Sequence, residues 1–212
     1  MHALAKRIAE WLVDKSDYPF NQEEIRYGIE VFLGTVFQII IILLVAFVIG
    51  LAKEVAFCLL SAAIYRRFSG GAHCEKYYRC TLTSLLVFNV LAYIAHLIDP
   101  AYFQLFILIA FITSLLALLF LVPVDNLRNP ISNTKQRKIL KLKASMILVV
   151  LFGGSIGAYR LYAPQIALAI LLGVLWQTFT LTALGHKFIG GWDRSFAYIE
   201  TTLSKKGGIH NE

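Results

Sequence analysis

Apolar residues fall along this chain in long blocks separated by short polar breaks. Blocks near 20 residues long, at a rise of about 1.5 Å per residue, cross a bilayer as helices. The pattern predicts spans over residues 29–50, 52–65, 81–98, 102–124, 144–160 and 164–184. The second is short for a crossing and the fifth borderline; Lys53-Glu54 and Arg66-Arg67 bracket the second. Ahead of the spans, Leu4, Ile8, Trp11 and Leu12 recur at helical spacing opposite Lys6, Arg7, Glu10 and Asp14. This predicts an amphipathic helix lying on the membrane within residues 1–20. Tyr18-Pro19-Phe20 ends it, and Asn21 with Glu24 marks a capped start for a helix that runs unbroken into the first span. The 125–143 loop is bounded by Pro123, holds Pro130, and carries a basic helix start near Ser132-Asn133. The tail 185–212 is polar, with Gly190-Gly191 and Gly207-Gly208, and is expected to be partly mobile. The fold class is an all-α polytopic membrane protein of about six transmembrane helices plus the N-terminal amphipathic helix. Without internal repeats, residues 1–212 read as one membrane domain.

Composition agrees. The 212 residues are 58% hydrophobic and 16% charged, with a mean hydropathy of +0.68. Soluble domains run at about half apolar and a quarter charged, so a disordered chain, a secreted disulfide scaffold and a cytosolic enzyme are excluded. The 20 Lys and Arg against 13 Asp and Glu give a net charge of +7. With six crossings and both termini cytoplasmic, every basic residue except Lys53 and Arg160 lies inside. That asymmetry sets the orientation and explains the surplus without a nucleic-acid partner. It also keeps the short second span as a crossing, because without it the basic 66–80 segment would face outward. Residues 1–28 lack the short apolar run of a cleavable signal peptide. Cys58, Cys74 and Cys80 have no paired spacing, so neither a disulfide framework nor a metal site is expected, and no cofactor.

The densest polar stretch, residues 66–80, lies between two spans on the inner face and holds Arg66, Arg67, His73, Cys74, Glu75, Lys76, Arg79 and Cys80. A thiol becomes a nucleophile as the thiolate, and a nearby imidazole can take its proton. On one straight helix His73 and Cys80 would stand about 10 Å apart along the axis. The Gly70-Gly71 break removes that obstacle, letting His73 fold back toward a helix that begins nearer Tyr77. Cys80 then occupies the early turns, where backbone amides and Arg79 favour a thiolate. Cys74 is the rival nucleophile, and Cys58 reads as a small buried hydrophobe. Glu75 is either an orienting acid for His73 or a solvated loop residue.

Arg66, Gly71, His73 and Cys80 match an Arg-x4-Gly-x-His-x6-Cys signature, and through it the chain resembles the accessory gene regulator B family. Length, six spans and a basic mid-chain loop agree, as do the proline-flanked Val122-Pro123-Val124-Asp125 and Asn129-Pro130-Ile131. The resemblance implies a cysteine endopeptidase of Gram-positive quorum sensing, a multi-pass protein of the cell membrane and a homodimer. Its substrate would be a small precursor peptide like those of the family's partner, AgrD, with an amphipathic leader and an acidic C-terminal recognition segment. Cys80 would form an acyl-enzyme, with His73 as base and Arg66 and Gly71 in support. An internal cysteine of the precursor would then take the acyl group, closing a thiolactone.

Other polar residues have plainer readings. Lys135, Arg137, Lys138, Lys141 and Lys143 form a juxtamembrane cluster suited to anionic lipid, with docking of an acidic peptide tail as the functional alternative at Lys135, Arg137 and Lys138. Gln38, Asn89, Gln104 and Gln177 are expected in interhelical hydrogen bonds. His96 and His186 read as interfacial or structural, and Tyr77, Tyr78, Tyr159, Tyr162 and Trp192 as interfacial aromatics. A small transporter is the rival function, and it would place charges within the spans, where they are largely missing. A non-catalytic scaffold would leave the Arg-Gly-His-Cys spacing as coincidence.

Overall fold

The apolar blocks form helices, and the polar residues at their edges set where each begins. A computed structural model describes residues 2–14, 21–72, 74, 76–124 and 133–207, apart from the side chains of 2–4 and 203–207. His73, Glu75, the Tyr18-Pro19-Phe20 break, Asp125, Asn129-Pro130-Ile131 and Ser132 lie outside the described residues, as does the Leu4 side chain. The elements are α1 (His2–Asp14), α2 (Gln22–Val48), α3 (Ala52–Ser69), α4 (Tyr77–Leu97), a 3-10 turn (Pro100–Tyr102), α5 (Phe103–Phe120), α6 (Thr134–Arg160), α7 (Pro164–Leu181) and α8 (Ala183–Gly207). The caps fall where the polar residues indicate. The Asn21 side chain accepts from Glu23 N at 3.1 Å, and Asn133 accepts from Lys135 N at 2.9 Å. Each satisfies an amide that the first helical turn leaves open.

Among the described residues five helices, α2, α4, α5 with its 3-10 turn, α6 and α7, are long and apolar enough to cross a membrane. The expected second span, α3, is not among them, because Lys53 and Glu54 open it and Arg66 and Arg67 close it. Its surroundings explain the composition. α3 lies in the middle of the bundle, packed on α7, α4, α6 and α2. Its buried face is mostly small or polar, Cys58, Ser61, Ala62 and Ser69, with Val55 and Tyr65 beside them. The fit to α7 is close, since a Cβ on Gly173 would meet Ser61 Oγ at 2.1 Å and Cys58 O at 2.3 Å. Ser61 Oγ donates to Cys58 O at 2.9 Å and Ile170 O at 3.1 Å, joining the two helices. Small residues and buried hydroxyls are how helices approach where water gives no driving force. α7 is the other central helix: 67% of its apolar window is buried, against 17–28% for the other four.

Two boundaries differ from the loop expected at 125–143 and the tail expected at 185–212. α6 begins at Thr134, ten residues before the apolar block, so its 27 residues reach about 40 Å and carry the basic cluster on its own first turns. α1 turns Ala5 and Ala9 into α2, fully buried, while Trp11 and Leu12 stay exposed. The small side of α1, rather than its large apolar side, therefore makes its contact. The tail is helical through Gly207. Phe188, Trp192 and Phe196 recur every four residues and form a stripe: Phe188 meets Phe179 and Trp176 of α7, and Trp192 stacks on Phe196 at 5.4 Å. That stripe overrides Gly190-Gly191 as a breaker.

One end of the bundle collects the functional segments. Val124 N donates to Ser69 O at 2.9 Å, and Lys141 Nζ donates to Leu119 O at 2.8 Å. Lys143 lies over the Phe68 ring at 5.9 Å, and Ala72 N donates to Thr180 O at 3.1 Å. The ends of α3, α5 and α7 thus meet the starts of α4 and α6 there.

Candidate functional site

The segment between α3 and α4 is a tight fold-back made by two glycines. Gly70 N bonds to Arg66 O at 3.0 Å and closes α3. Its φ of +77° and ψ of −152° suit glycine alone, and a Cβ there would meet Val124 O at 2.3 Å. Gly71, at φ +134°, is crowded as well: a Cβ would lie 2.9 Å from Thr180 Oγ1 and 3.3 Å from both Arg66 NH1 and Gln177 Nε2. α4 then begins at Tyr77, where the break requires it.

Arg66, Gln177 and Thr180 form a frame around this fold-back. Arg66 NH2 donates to Ala72 O, and NH1 reaches Gln177 Oε1 at 3.4 Å and Thr180 Oγ1 at 3.5 Å. Gln177 Nε2 donates to Gly70 O at 2.7 Å and Ser69 Oγ at 3.0 Å. Thr180 Oγ1 donates to Gln177 O at 2.8 Å and lies 3.2 Å from Gln177 Oε1. Ser69, Gln177 and Thr180 are fully buried, so these bonds replace water entirely. Arg67, by contrast, is exposed. Sequence reasoning placed Gln177 in an interhelical bond, and Gln38 likewise, which accepts from Tyr77 OH at 3.2 Å. It missed that Gln177 and Thr180, three apart on α7, hold the fold-back; two polar residues at helical spacing in an apolar span were the available signal.

Cys80 is half-buried in the first turn of α4, its N–H bonded to Lys76 O at 3.3 Å. Cys74, also half-buried, hydrogen-bonds through its side chain to Cys80 and to Thr83, one turn further along α4. The hydrogen bond to Cys80, then burial, then the charges of Cys80 and Asp193 push the Cys74 thiol well above the ordinary range. The two thiols thus form one hydrogen-bonded pair at the start of α4. The Arg66 guanidinium interacts electrostatically with both thiols. Negative charge on Cys80 is met by a guanidinium, a thiol and the positive end of α4. Cys58 is fully buried in the core.

A second cluster adjoins the first. Arg79, with only 5% of its side chain exposed, pairs with Asp193 Oδ1 at 3.3 Å and Glu200 Oε2 at 2.7 Å, both on α8. Lys76 Nζ reaches Glu200 Oε1 at 2.7 Å and Tyr78 OH reaches Oε2 at 2.5 Å. These acids were not foreseen, since they lie more than a hundred residues away in sequence. Lys76, Tyr78 and Arg79 hold the Glu200 carboxyl down at about 2. The unfolded value is about 4.3, so the depressed group adds stability above that pH and loses it as pH falls toward 2. Hydrogen exchange in α8 beyond Phe196 should therefore report release of its far half between about pH 4 and 2, and Glu200→Gln should remove that transition. A transition centred near pH 6 would contradict this.

Lys135, Arg137 and Lys138 lie on the first turn of α6 at this end of the bundle, with Lys135 and Lys138 exposed, and not within the thiol cluster. Gln104 lines an outward-opening apolar groove of about 630 Å³ with Phe111, Val149 and Phe152, remote from these polar groups in kind and place. His186 Nδ1 lies 2.9 Å from Thr182 O, a local helix contact. Among the described residues no three His, Cys, Asp or Glu side chains gather as metal ligands.

Comparison with known proteins matches the sequence to a family. The family model described as accessory gene regulator B matches residues 5–181. An AgrB-like protein 2 of Clostridium perfringens strain 13 is 29% identical over 196 residues, covering 86% of this chain and 92% of that protein. An AgrB-like protein of Listeria monocytogenes serotype 4a is 27% identical over 200 residues, covering 93% and 96%. One of Listeria innocua is 29% identical over the same shares. No solved structure matches the chain at a significant level.

Proposed function

Because the chain belongs to the accessory gene regulator B family, we propose that it is a membrane cysteine endopeptidase that cuts and cyclises a small AgrD-like precursor peptide. The observation that carries this reading is Cys80, held at the start of α4 against Arg66 and the Cys74 thiol by a buried frame. His73 is the base. The Cys80 sulfur attacks the scissile carbonyl carbon while His73 takes the thiol proton. The tetrahedral intermediate collapses, the C–N bond breaks, and His73 returns the proton to the leaving amine. The precursor's internal cysteine then attacks the Cys80 thioester and closes the thiolactone, restoring the Cys80 thiol. The second step exchanges thioesters at little cost. The first is uphill and is drawn forward as its two products are consumed or carried away.

The active face is cytoplasmic in this reading, in the cell membrane of a Gram-positive bacterium, with both termini inside and α3 crossing. Its support is the basic asymmetry and the gathering of α3, α4, α6 and α7 ends at one face. Cysteines introduced at 67 or 76 should then label only with membrane-permeant reagents, and one at 53 or 160 from outside. Reversed labelling would refute the orientation. The protein works as a homodimer, as its family does.

The activity is tested with reconstituted protein and a synthetic precursor, where release of the C-terminal segment is expected. An intact precursor would contradict the reading. In the same assay, neutralising Lys135, Arg137 and Lys138 together should raise KM and weaken its salt dependence, with kcat less affected, if they dock an acidic tail. Exposed pairs are worth about 0.2–1 kcal/mol each, so only the cluster matters. A loss confined to kcat would assign the cluster to folding or chemistry instead.

A further inference from the structure

We propose that Lys76, Tyr78 and Arg79 form a carboxylate-binding subsite for the peptide substrate beside Cys80, held in this structure by Glu200 of the chain's own α8. The three donors come from one four-residue run that ends where Cys80 begins. Between them they occupy both oxygens of the Glu200 carboxylate, Lys76 Nζ on Oε1 and Tyr78 OH with Arg79 NH2 on Oε2.

The receptor is built independently of this occupant. Arg79 NH1 is fixed by Asp193, through both the carboxylate and the backbone oxygen at 3.3 Å, and its Nε donates to Tyr78 OH at 3.1 Å. Asp193 and Arg79 are both buried, with 9% and 5% of their side chains exposed, whereas Glu200 is 45% exposed. Asp193 is thus the fixed partner that aims the guanidinium, and Glu200 the exchangeable one. α8 packs against α7, which it follows in sequence, and against α4. Its far half can therefore lift while the aromatic stripe keeps its first half on α7.

Position ties this receptor to the thiol. Cys80 N bonds to Lys76 O, the residue that caps α4, so the run carrying the three donors closes the turn in which Cys80 sits. The Asp193 charge also reaches Cys74, which hydrogen-bonds to Cys80. A peptide lying across Cys80 and bearing a carboxylate meets Lys76, Tyr78 and Arg79 once Glu200 yields. The ligand class is an acidic peptide, and α8 competes with it from within the chain.

The identity of the ligand rests on the peptidase reading, but the test needs no turnover. Full-length protein in lipid nanodiscs is alkylated with iodoacetamide, and modified Cys80 is measured after trypsin, which separates it from Cys74 at Arg79. The probes are a capped Glu-Glu dipeptide and its Gln-Gln control. In Glu200→Gln and in Glu200→Ala, Glu-Glu should slow Cys80 alkylation about threefold relative to Gln-Gln, and high salt should remove the difference. Wild type should show less protection, and Glu200→Gln with Lys76→Gln little or none. Equal rates with the two dipeptides in both Glu200 variants would overturn the subsite, as would full protection surviving Lys76→Gln. Protection seen in a protein that cleaves no precursor would keep the subsite and remove only the peptidase reading.

Discussion

Cys80→Ala is expected to abolish precursor cleavage, with kcat falling on the order of 10⁴-fold or more, as when a covalent nucleophile is removed. Three observations single out this thiol among three. Cys58 is fully buried between α3 and α7, where no peptide reaches it. The hydrogen bond to Cys80 and burial push the Cys74 thiol up. Cys80 stands at the amide end of α4 with Arg66 acting on it. Cys58→Ala should leave activity near wild type. Cys74→Ala should keep much of it, losing about tenfold or less, since it removes one weak donor rather than the attacking atom. The readout is steady-state cleavage by each variant at matched folded protein. Normal processing by Cys80→Ala would end the assignment, and loss in Cys74→Ala alone would move it.

Arg66→Lys carries the second largest expected effect, a fall in kcat of about 10²-fold with a smaller change in KM. One guanidinium reaches Ala72 O, Gln177 Oε1 and Thr180 Oγ1, which lie in different directions. A lysine ammonium keeps the charge but lacks the planar fork, so the fold-back is no longer held from all three sides. Gln177→Leu should fall in the same direction, because it releases Gly70 O and Ser69 Oγ at once. Arg67→Lys, at an exposed position, should be silent. Thermal unfolding measured alongside separates a misplaced loop from an unfolded bundle. If Arg67→Lys were inactive and Arg66→Lys normal, the two arginines would exchange roles.

What could be read in the chain beforehand was what short-range physics controls. Asn21 and Asn133 cap helices because a side-chain oxygen needs only the next two amides. Gly70-Gly71 breaks the chain and α4 starts at Tyr77, because glycine conformation and helix spacing are local matters. The frame was beyond that reach: Arg66 and Gln177 are 111 residues apart, and nothing in either stretch announces the other. α3 was legible as a helix, but its central place was not, since its small buried residues look like a weak span until α7 is packed against them. The polarity and glycine pairs of the tail suggest mobility, but Phe188, Trp192 and Phe196 recur every four residues along α8. α7 supplies the aromatic surface that reverses that balance.

The proposed thioester at Cys80 can be caught by intact-mass spectrometry. Reconstituted protein would be incubated with a precursor whose internal cysteine is replaced by alanine, so that the acyl group has no thiol to move to. A mass increase equal to the N-terminal part of the precursor is expected. It should map to the tryptic fragment that begins at Cys80, be lost on treatment with hydroxylamine, and be missing in Cys80→Ala. Cleavage of the precursor with no adduct on Cys80, or an adduct on Cys74 instead, would contradict it.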